Sequence, residues 1–440
     1  METTVDKYDI LKGEIAAGPE LQKGELVSGP EFQPRTIAEV GVRESILEDI
    51  ALKTLYLYGP FSVAGLSQQS RLSYDVAEQL FTRLRAKLLC EVTGMAGTIP
   101  EIAITSQGRS LALELLSQNQ YSGAVPVSLA SYVSQVRKQS MRTVQVTPTD
   151  VERAFAHLVF DDEVLSELGT ALNSGSAVFL YGPPGAGKTS AAEAMARVFA
   201  ENEVYVPFAV EIGGQIITVY DPAIHGAGKE ADAKAGDRRW VRCQRPTVTV
   251  GGELTIDMLD LQFNPTSKYY DGPPQMKANN GVLVIDDFGR QRIPPEDLLN
   301  RWVVPLDRGI EFLTLVGGRK IEIPFDMLVV FASNRDPRTV LDSAFLRRIR
   351  TKIRLGAITE SQFCEVFRRV AGDHHLSVEQ EVLNELIHII RSGFKQELRA
   401  CQPRDLVNQV CWQATYENRA PRLDQTSLMQ AVKAYFLPPD

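Results

Sequence analysis

The sequence predicts an α/β fold built on a parallel β-sheet. Three apolar stretches, AVFLY (177–181), VLVI (282–285) and LVVFAS (328–333), have the character of strands buried on both faces. A glycine-rich loop follows the first stretch, and polar residues end or follow the other two. Because ligands bind at the carboxyl edge of such sheets, these polar residues are expected to share one site.

Composition indicates an ordinary globular protein. The 440 residues have room for about three domains, and 44% of them are hydrophobic and 23% charged. The chain has no run of about 18 apolar residues and no secretory signal at its start, so a cytoplasmic protein without a membrane span is expected. Five scattered cysteines and five histidines without ligand spacing argue against disulfides and structural zinc. A net charge of −8 gives no general reason to bind nucleic acid.

A phosphate-binding loop is the strongest motif. It joins the first strand to an alanine-rich helix and comprises Gly182, Pro183, Pro184, Gly185, Ala186, Gly187, Lys188, Thr189 and Ser190. The glycines let the backbone N–H groups turn towards phosphate oxygens. Lys188 is expected to reach the β- and γ-phosphates, and Thr189 offers a hydroxyl to Mg²⁺. Spacing and context together predict a nucleotide site.

Polar side chains at the ends of the next two strands are expected to complete this site. Asp286 is the candidate that holds Mg²⁺ through water, and Asp287 is the candidate that polarises the attacking water. A cap on the following turn is the alternative role for Asp287. Asn334 ends the third strand, where its amide can hydrogen-bond the γ-phosphate or the lytic water.

Arginines follow at positions suited to phosphate contacts. Arg347 and Arg348 end a short helix in SAFLRRIRTKI, and Arg404 follows a proline in the first turn of a later helix. Arg290 and Arg292, just beyond the second strand, could position the water or contact a neighbouring subunit. For these two residues a solvated surface position is at least as consistent with the sequence.

Residues 35–118 form a separate pattern. A helix, a short helix, a turn at RLS and a longer helix with Ser73 as N-cap precede two strands and a closing helix, an order that resembles a winged helix. Arg83, Arg85 and Lys87 are the candidate DNA contacts. Residues 36–140 hold nine basic and nine acidic residues, however, and this balance favours a protein-docking module.

Residues from about 150 to 440 resemble an AAA+ ATPase. The matching motifs are Walker A at Gly182 to Thr189, Walker B at Val282 to Asp287, sensor 1 at Asn334, the arginine finger at Arg347 or Arg348, and sensor 2 at Arg404. The resemblance implies a parallel five-stranded sheet with helices on both faces, a helical lid and Mg-ATP hydrolysis. It also implies a homo-oligomeric ring, usually a hexamer, because the finger acts on the neighbour's nucleotide.

Two further features are similar to the MoxR-like branch of this family. An inserted region is expected at about residues 213–280, and a helix and a hairpin with Gly317-Gly318 as its turn precede sensor 1. The expected division of the chain is a leader (1–34), a winged helix (35–118), a connector (119–148), a nucleotide-binding core (149–356) and a lid (357–440).

The end of the expected insertion resembles a substrate-gripping pore loop. In KYYDGPP, Tyr269, Tyr270 and Gly272 have the aromatic and glycine character of such loops. Aromatic residues in loops are more often packed than exposed to a substrate, so packing is the favoured alternative.

Asp287 departs from the AAA+ pattern, which usually has glutamate at this position. Aspartate is one C–C bond shorter, about 1.5 Å of reach, and a misplacement near 1 Å can cost on the order of 10²-fold in rate. A retained finger favours turnover, since such arginines contribute on the order of 10³ to 10⁵ in rate. The sequence thus predicts a slow ATPase that remodels or assembles a protein partner. The alternatives are a DNA-associated regulator and a nucleotide-held scaffold with little turnover.

Overall fold

The computed structural model of the protein describes residues 29–30, 32–96, 99–226, 229–230 and 236–437. The leader predicted over residues 1–34 lies mostly outside these residues. Among the described helices, none combines the length and the apolar character that crossing a bilayer requires.

The N-terminal part is built around a small antiparallel sheet. Its elements are α1 (Glu44–Tyr58), β1 (Phe61–Ser62), α2 (Val63–Ser70), α3 (Tyr74–Ala86), β2 (Cys90–Ala96), β3 (Ile99–Ile104) and α4 (Ser106–Gln118), with strand order β1-β3-β2. Ser73 caps α3, because its side chain accepts a hydrogen bond from the Val76 backbone N–H. The elements follow the order that the sequence indicated, with the short strand β1 added. The winged-helix interpretation stays a prediction.

Residues 119–148, expected as a connector, are part of the folded body. They contain β4 (Val127–Ser128) and α5 (Leu129–Lys138). The residues of β4 pair in parallel with residues 210–211. Tyr132 and Val136 on α5 are each only 2% exposed, so α5 buries an apolar face against the same sheet.

The central α/β region and its additions follow in chain order. The first half contains α6 (Pro148–Phe155), α7 (Asp162–Ser174), β5 (Val178–Tyr181), α8 (Lys188–Arg197), β6 (Glu203–Pro207), β7 (Ala209–Ile212), β8 (Gln215–Thr218), α9 (Pro222–His225), β9 (Lys229–Glu230), β10 (Trp240–Gln244) and β11 (Thr247–Val250). The second half contains β12 (Gln262–Phe263), β13 (Tyr270–Asp271), α10 (Pro274–Lys277), β14 (Val282–Ile285), α11 (Pro295–Arg308), β15 (Ile310–Thr314), β16 (Lys320–Pro324), β17 (Leu328–Ser333), α12 (Pro337–Val340), α13 (Ser343–Arg348) and β18 (Thr351–Arg354).

A parallel five-stranded sheet forms the centre, in the order β11-β14-β17-β5-β18. One face packs against α6, α7 and α8, and the other packs against α11 and α13. The predicted α/β P-loop core with helices on both faces is therefore confirmed. Strand β5 lies between β17 and β18, so the loop after β5 opens at a point where the strand order reverses.

The boundaries of the expected insertion are wrong. Residues 247–250 lie inside the range 213–280, yet they form β11, an edge strand of the central sheet. Conversely, β6 and β7 precede residue 213 but belong to the added sheets, ordered β6-β10-β9 and β12-β13-β8-β7-β4. The sequence of β11 is TVTV, with its threonines exposed and its valines buried. A strand in the centre of a parallel sheet usually has a continuous apolar run, which TVTV lacks. From the sequence alone these residues are therefore expected in the insertion.

The hairpin expected before the third core strand is present. Strands β15 and β16 pair antiparallel after α11. Gly317 and Gly318 at the turn have φ values of 92° and 80°, which glycine adopts without a side-chain clash.

The C-terminal region is helical, as predicted. It contains α14 (Glu360–Asp373), α15 (Gln380–His388) with a π-helical continuation (Ile389–Gly393), α16 (Gln402–Tyr416) and α17 (Gln425–Tyr435). Thr359 and Gln362 form a reciprocal capping box at the start of α14. The Gln362 amide also donates to the Asp161 carboxylate at 2.7 Å, which links this helical region to the N-terminus of α7.

Candidate nucleotide-binding and catalytic site

The loop between β5 and α8 has a backbone shape that excludes side chains at two of its glycines. Gly182 has a φ of 149°, and a methyl group added there would lie 1.8 Å from the Leu355 carbonyl oxygen. Gly185 has a φ of 79°, and an added methyl group would lie 2.3 Å from Cys401 Sγ. Both distances are far inside van der Waals contact, so these positions require glycine. The loop is thus held between β18 on one side and the helical C-terminal region on the other.

Lys188 follows this loop as the first residue of α8 and is only 7% exposed. Its ammonium group donates to the carbonyl oxygens of Gly182 at 3.0 Å and Pro183 at 2.9 Å, and to Asn334 Oδ1 at 2.7 Å. Burial lowers the pKa of Lys188, while the carboxylates of Asp286 and Asp287 oppose this shift. The three acceptors hold the ammonium at the mouth of the loop, where a phosphate group would replace some of them.

Thr189 and Asp286 bring a hydroxyl and a carboxylate together. Thr189 Oγ1 donates to Asp286 Oδ2 at 2.9 Å, across 97 positions of sequence. Hard oxygen donors of this kind suit Mg²⁺, which usually keeps several waters and completes its shell with substrate phosphates. Among the described residues no cluster of three or more His, Cys, Asp or Glu side chains could hold a metal alone. The Thr189 hydroxyl and the Asp286 carboxylate are thus two oxygen ligands of the kind that Mg²⁺ accepts.

Asp287 has a left-handed backbone, with a φ of 49°. Its Oδ1 accepts a hydrogen bond from Asn334 Nδ2 at 2.9 Å, and its backbone N–H donates to Asp286 Oδ1 at 2.8 Å. Asn334 therefore bridges Lys188 and Asp287 with the two ends of one amide. Aspartate and asparagine are several-fold enriched at positive φ relative to most other residues. The left-handed backbone therefore favours aspartate over glutamate at position 287, independently of how far the side chain reaches.

The turn after β14 depends on a residue that the sequence interpretation missed. Gln291 donates from Nε2 to the Asp286 carbonyl oxygen at 2.7 Å and accepts at Oε1 from the Gly289 N–H at 2.8 Å. These bonds fix the turn that carries Asp287. A glutamine in a loop has no distinctive sequence pattern, so only the closed turn reveals its role.

The two finger candidates differ in their surroundings. Arg348 Nε donates to Asp307 Oδ2 at 2.9 Å, and its guanidinium lies 5.5 Å from the centre of the Phe345 ring. Arg347 is exposed, and no partner for its side chain is found within the described residues. Arg348 is therefore engaged within its own chain, whereas Arg347 is available to another molecule.

The other predicted arginines are exposed. Arg404 stands in the first turn of α16 with 67% of its side chain exposed, and its Nε lies 3.4 Å from Asp405 Oδ1. Arg290 and Arg292 are also exposed, with no side-chain partner in the part of the chain that is described. None of the three is brought into contact with Lys188, Asp286 or Asp287, so their roles stay predictions.

The tyrosines compared with a pore loop are packed. Tyr270 is 2% exposed, and its hydroxyl accepts a hydrogen bond from the Val316 backbone N–H at 2.8 Å. Tyr269 makes an edge contact with the Tyr121 ring at 5.5 Å between centroids. Packing, the favoured alternative, is found for both rings, since each contacts a neighbouring part of the fold.

Comparisons with known proteins give distant likenesses. The model of a domain of unknown function (DUF8689) matches residues 359–434, which form the helical C-terminal region. A comparison with curated proteins finds no match. Among solved structures, the chain is similar to the Thermotoga maritima RuvB Holliday junction branch migration motor, with 16% identity and a TM-score of 0.37 over 63% of this chain and 70% of that chain. It is also similar to Brucella abortus NtrX in complex with ATP, with 14% identity and a TM-score of 0.39 over 66% of this chain and 60% of that chain. The candidate site is therefore defined by the chain's own residues.

Replacing Gly185 with alanine tests the contact between the loop and the helical region. The added methyl group would clash with Cys401 Sγ and strain a left-handed backbone. Gly187→Ala is a matched control, since its φ is 88° but the nearest atom, in the Phe160 ring, would lie 3.9 Å away. Both changes should cost about 1–2 kcal/mol of backbone strain.

Only Gly185→Ala should displace the Cys401 segment. The Cys401 backbone N–H donates to the Gly185 carbonyl oxygen at 3.1 Å. In Gly185→Ala this N–H should exchange faster with deuterium. Equal exchange at Cys401 in the two variants would contradict the contact.

Proposed function

We propose that the chain is an AAA+ ATPase that converts ATP and water to ADP and phosphate and uses this reaction to remodel or assemble a protein partner. The hydrogen-bonded series from Lys188 through Asn334 to Asp287 carries the proposal. It joins the side chain suited to the β- and γ-phosphates to the carboxylate suited to the attacking water. A pure binding site would need the first of these groups but not the second.

The residues present fit Mg-ATP. The loop from Gly182 to Gly187 leads into the N-terminus of α8, where backbone N–H groups are suited to phosphate oxygens. Lys188 neutralises phosphate charge, while Thr189 and Asp286 offer oxygen ligands to Mg²⁺. Mg²⁺ bound there would stabilise the charge that develops on the transferred phosphoryl group.

Asp287 and Asn334 act on the water. Asp287 accepts a hydrogen bond from the water and orients it, and Asn334 holds the Asp287 carboxylate in place. The shorter reach of aspartate supports slow turnover. A nucleotide-held scaffold without turnover is less well supported, because it would not need an organised carboxylate beside the phosphate lysine.

A homo-oligomeric ring, with a hexamer as the expected form, belongs to the proposal. An arginine finger must be free to contact the nucleotide of a neighbouring subunit, and its guanidinium can bind phosphate oxygens with fixed geometry. Exposed Arg347 suits this role better than Arg348, which is bonded to Asp307. We also propose that the chain belongs to the MoxR-like branch of AAA+ proteins. The hairpin β15–β16 and the added sheets support this assignment.

A protein is the favoured partner of the N-terminal part. Arg83 forms an ion pair with Glu44, and Lys87 forms one with Glu48, so two of the three candidate DNA contacts are neutralised by α1. A DNA reader needs such cations for phosphates. The DNA-associated alternative therefore has less support than a protein-docking role.

Lys188→Ala should weaken ATP binding about 10- to 100-fold, because it removes charge-assisted hydrogen bonds to phosphate. Mg²⁺-dependent ATP hydrolysis should become undetectable in a phosphate-release assay. Lys433→Ala, which removes an exposed lysine from α17, is the matched control and should hydrolyse ATP like the parent. Unchanged hydrolysis in Lys188→Ala would falsify the proposed function.

Two substitutions at Asp287 separate its charge from its backbone shape. Asp287→Asn tolerates the left-handed backbone but removes the carboxylate, so nucleotide binding should persist while hydrolysis falls on the order of 10²- to 10⁴-fold. Asp287→Glu restores reach but is disfavoured at a φ of 49°, so it should give little or no gain in rate. A large gain with glutamate, measured by steady-state kinetics, would show that reach alone limits turnover.

Mixing variants tests the finger. Arg347→Ala should reduce the rate of ATP hydrolysis about 10³-fold or more. Arg348→Ala should affect mainly the stability of the subunit, because it removes the hydrogen bond to Asp307. If Arg347 acts on a neighbour, adding Lys188→Ala subunits to Arg347→Ala subunits should restore part of the activity, because intact fingers then face intact nucleotide sites. Absence of any recovery, in mixtures shown to co-assemble, would contradict a finger supplied by another subunit.

A further inference from the structure

The segment before α16 lies directly on the phosphate-binding loop. The Cys401 backbone N–H donates to the Gly185 carbonyl oxygen at 3.1 Å. A methyl group added to Gly185 would meet Cys401 Sγ at 2.3 Å and Arg399 Cδ at 3.9 Å. The aliphatic part of the Arg399 side chain therefore passes beside the loop that binds phosphate.

The backbone that carries Arg399 is rigid. Gln402, which is 2% exposed, accepts at Oε1 from the Arg399 N–H and donates from Nε2 to the Glu397 carbonyl oxygen, both at 3.0 Å. One buried side chain thus closes the turn on both sides of Arg399. The Arg399 side chain therefore starts from a fixed backbone position, and no backbone ordering is needed when it binds.

The guanidinium of Arg399 lacks a partner in the described part of the chain. Its Nε is buried and makes no hydrogen bond to any residue that the structure describes. A buried donor without an acceptor costs free energy, and an arginine donor of this kind is well matched to phosphate oxygens. Arg404, in contrast, has an exposed side chain close to the carboxylate of Asp405.

We propose that Arg399 binds a β- or γ-phosphate oxygen of the nucleotide held by the loop, as a second phosphate-contacting arginine of the helical C-terminal region besides Arg404. This inference rests on the proposed function. Arg399 supplies positive charge from the side of the loop opposite to β18. Because Arg399 belongs to the helical region, the contact also ties the position of that region to the presence of nucleotide.

The test compares binding of ADP and of a non-hydrolysable ATP analogue by calorimetric titration of the full chain. Arg399→Ala should weaken binding about 10- to 100-fold, the range of one lost charge-assisted hydrogen bond. Arg399→Lys should recover part of this loss, since it keeps the charge without the planar fork. Arg419→Ala is the matched control, because Arg419 follows the far end of α16 and pairs with Glu417. It should bind nucleotide like the parent.

The outcomes separate this role from the proposed function. If Arg399→Ala binds both nucleotides like the parent while Lys188→Ala does not, Arg399 has no phosphate role and the proposed function stands. If Arg399→Ala and Arg399→Lys bind nucleotide equally weakly, and both variants unfold at a lower temperature than the parent without nucleotide, Arg399 has a structural role and the inference is wrong. If Lys188→Ala also binds like the parent, the proposed function fails and the role of Arg399 fails with it.

Discussion

The amide of Asn334 is the contact on which the candidate site depends. Its oxygen accepts from Lys188 and its nitrogen donates to Asp287, so it fixes the distance between a cation and a carboxylate that would otherwise attract each other directly. This arrangement requires β17 to lie between β14 and β5. With that order, Asn334 follows the end of β17 and lies beside both partners. Its neutral amide separates the Lys188 ammonium from the Asp287 carboxylate.

The second constraint is the tight contact between the phosphate-binding loop and the helical region. At Gly185 the two parts approach so closely that a single methyl group does not fit beside Cys401. Packed groups of this kind transmit displacement because they have few voids to absorb it. A displacement of the loop would therefore be felt at Cys401, directly before α16.

A buried ion pair between Arg239 and Asp237 lies where the N-terminal part meets the body, and a hydrogen bond from Arg239 joins the two. Arg239 and Asp237 are each 4% exposed, and the Arg239 guanidinium also donates to the carbonyl oxygens of Val40 and Pro126. Breaking such a pair by removing one partner typically costs about 3–5 kcal/mol. The N-terminal part is thus held by the added sheets.

Local patterns in the sequence determined the loop from Gly182 to Thr189, the buried strand before Asp286, the hairpin at Gly317-Gly318 and the helical C-terminal region. These features depend on short-range constraints, such as glycine at positive φ and apolar strands, which residues close in sequence encode. Only the tertiary structure decided that β11 is an edge strand and that Tyr270 is buried. It also decided that Arg348 pairs with Asp307 while Arg347 is exposed, and that Arg399 lies beside the loop. Those outcomes depend on contacts between residues far apart in the chain, and no local pattern specifies them.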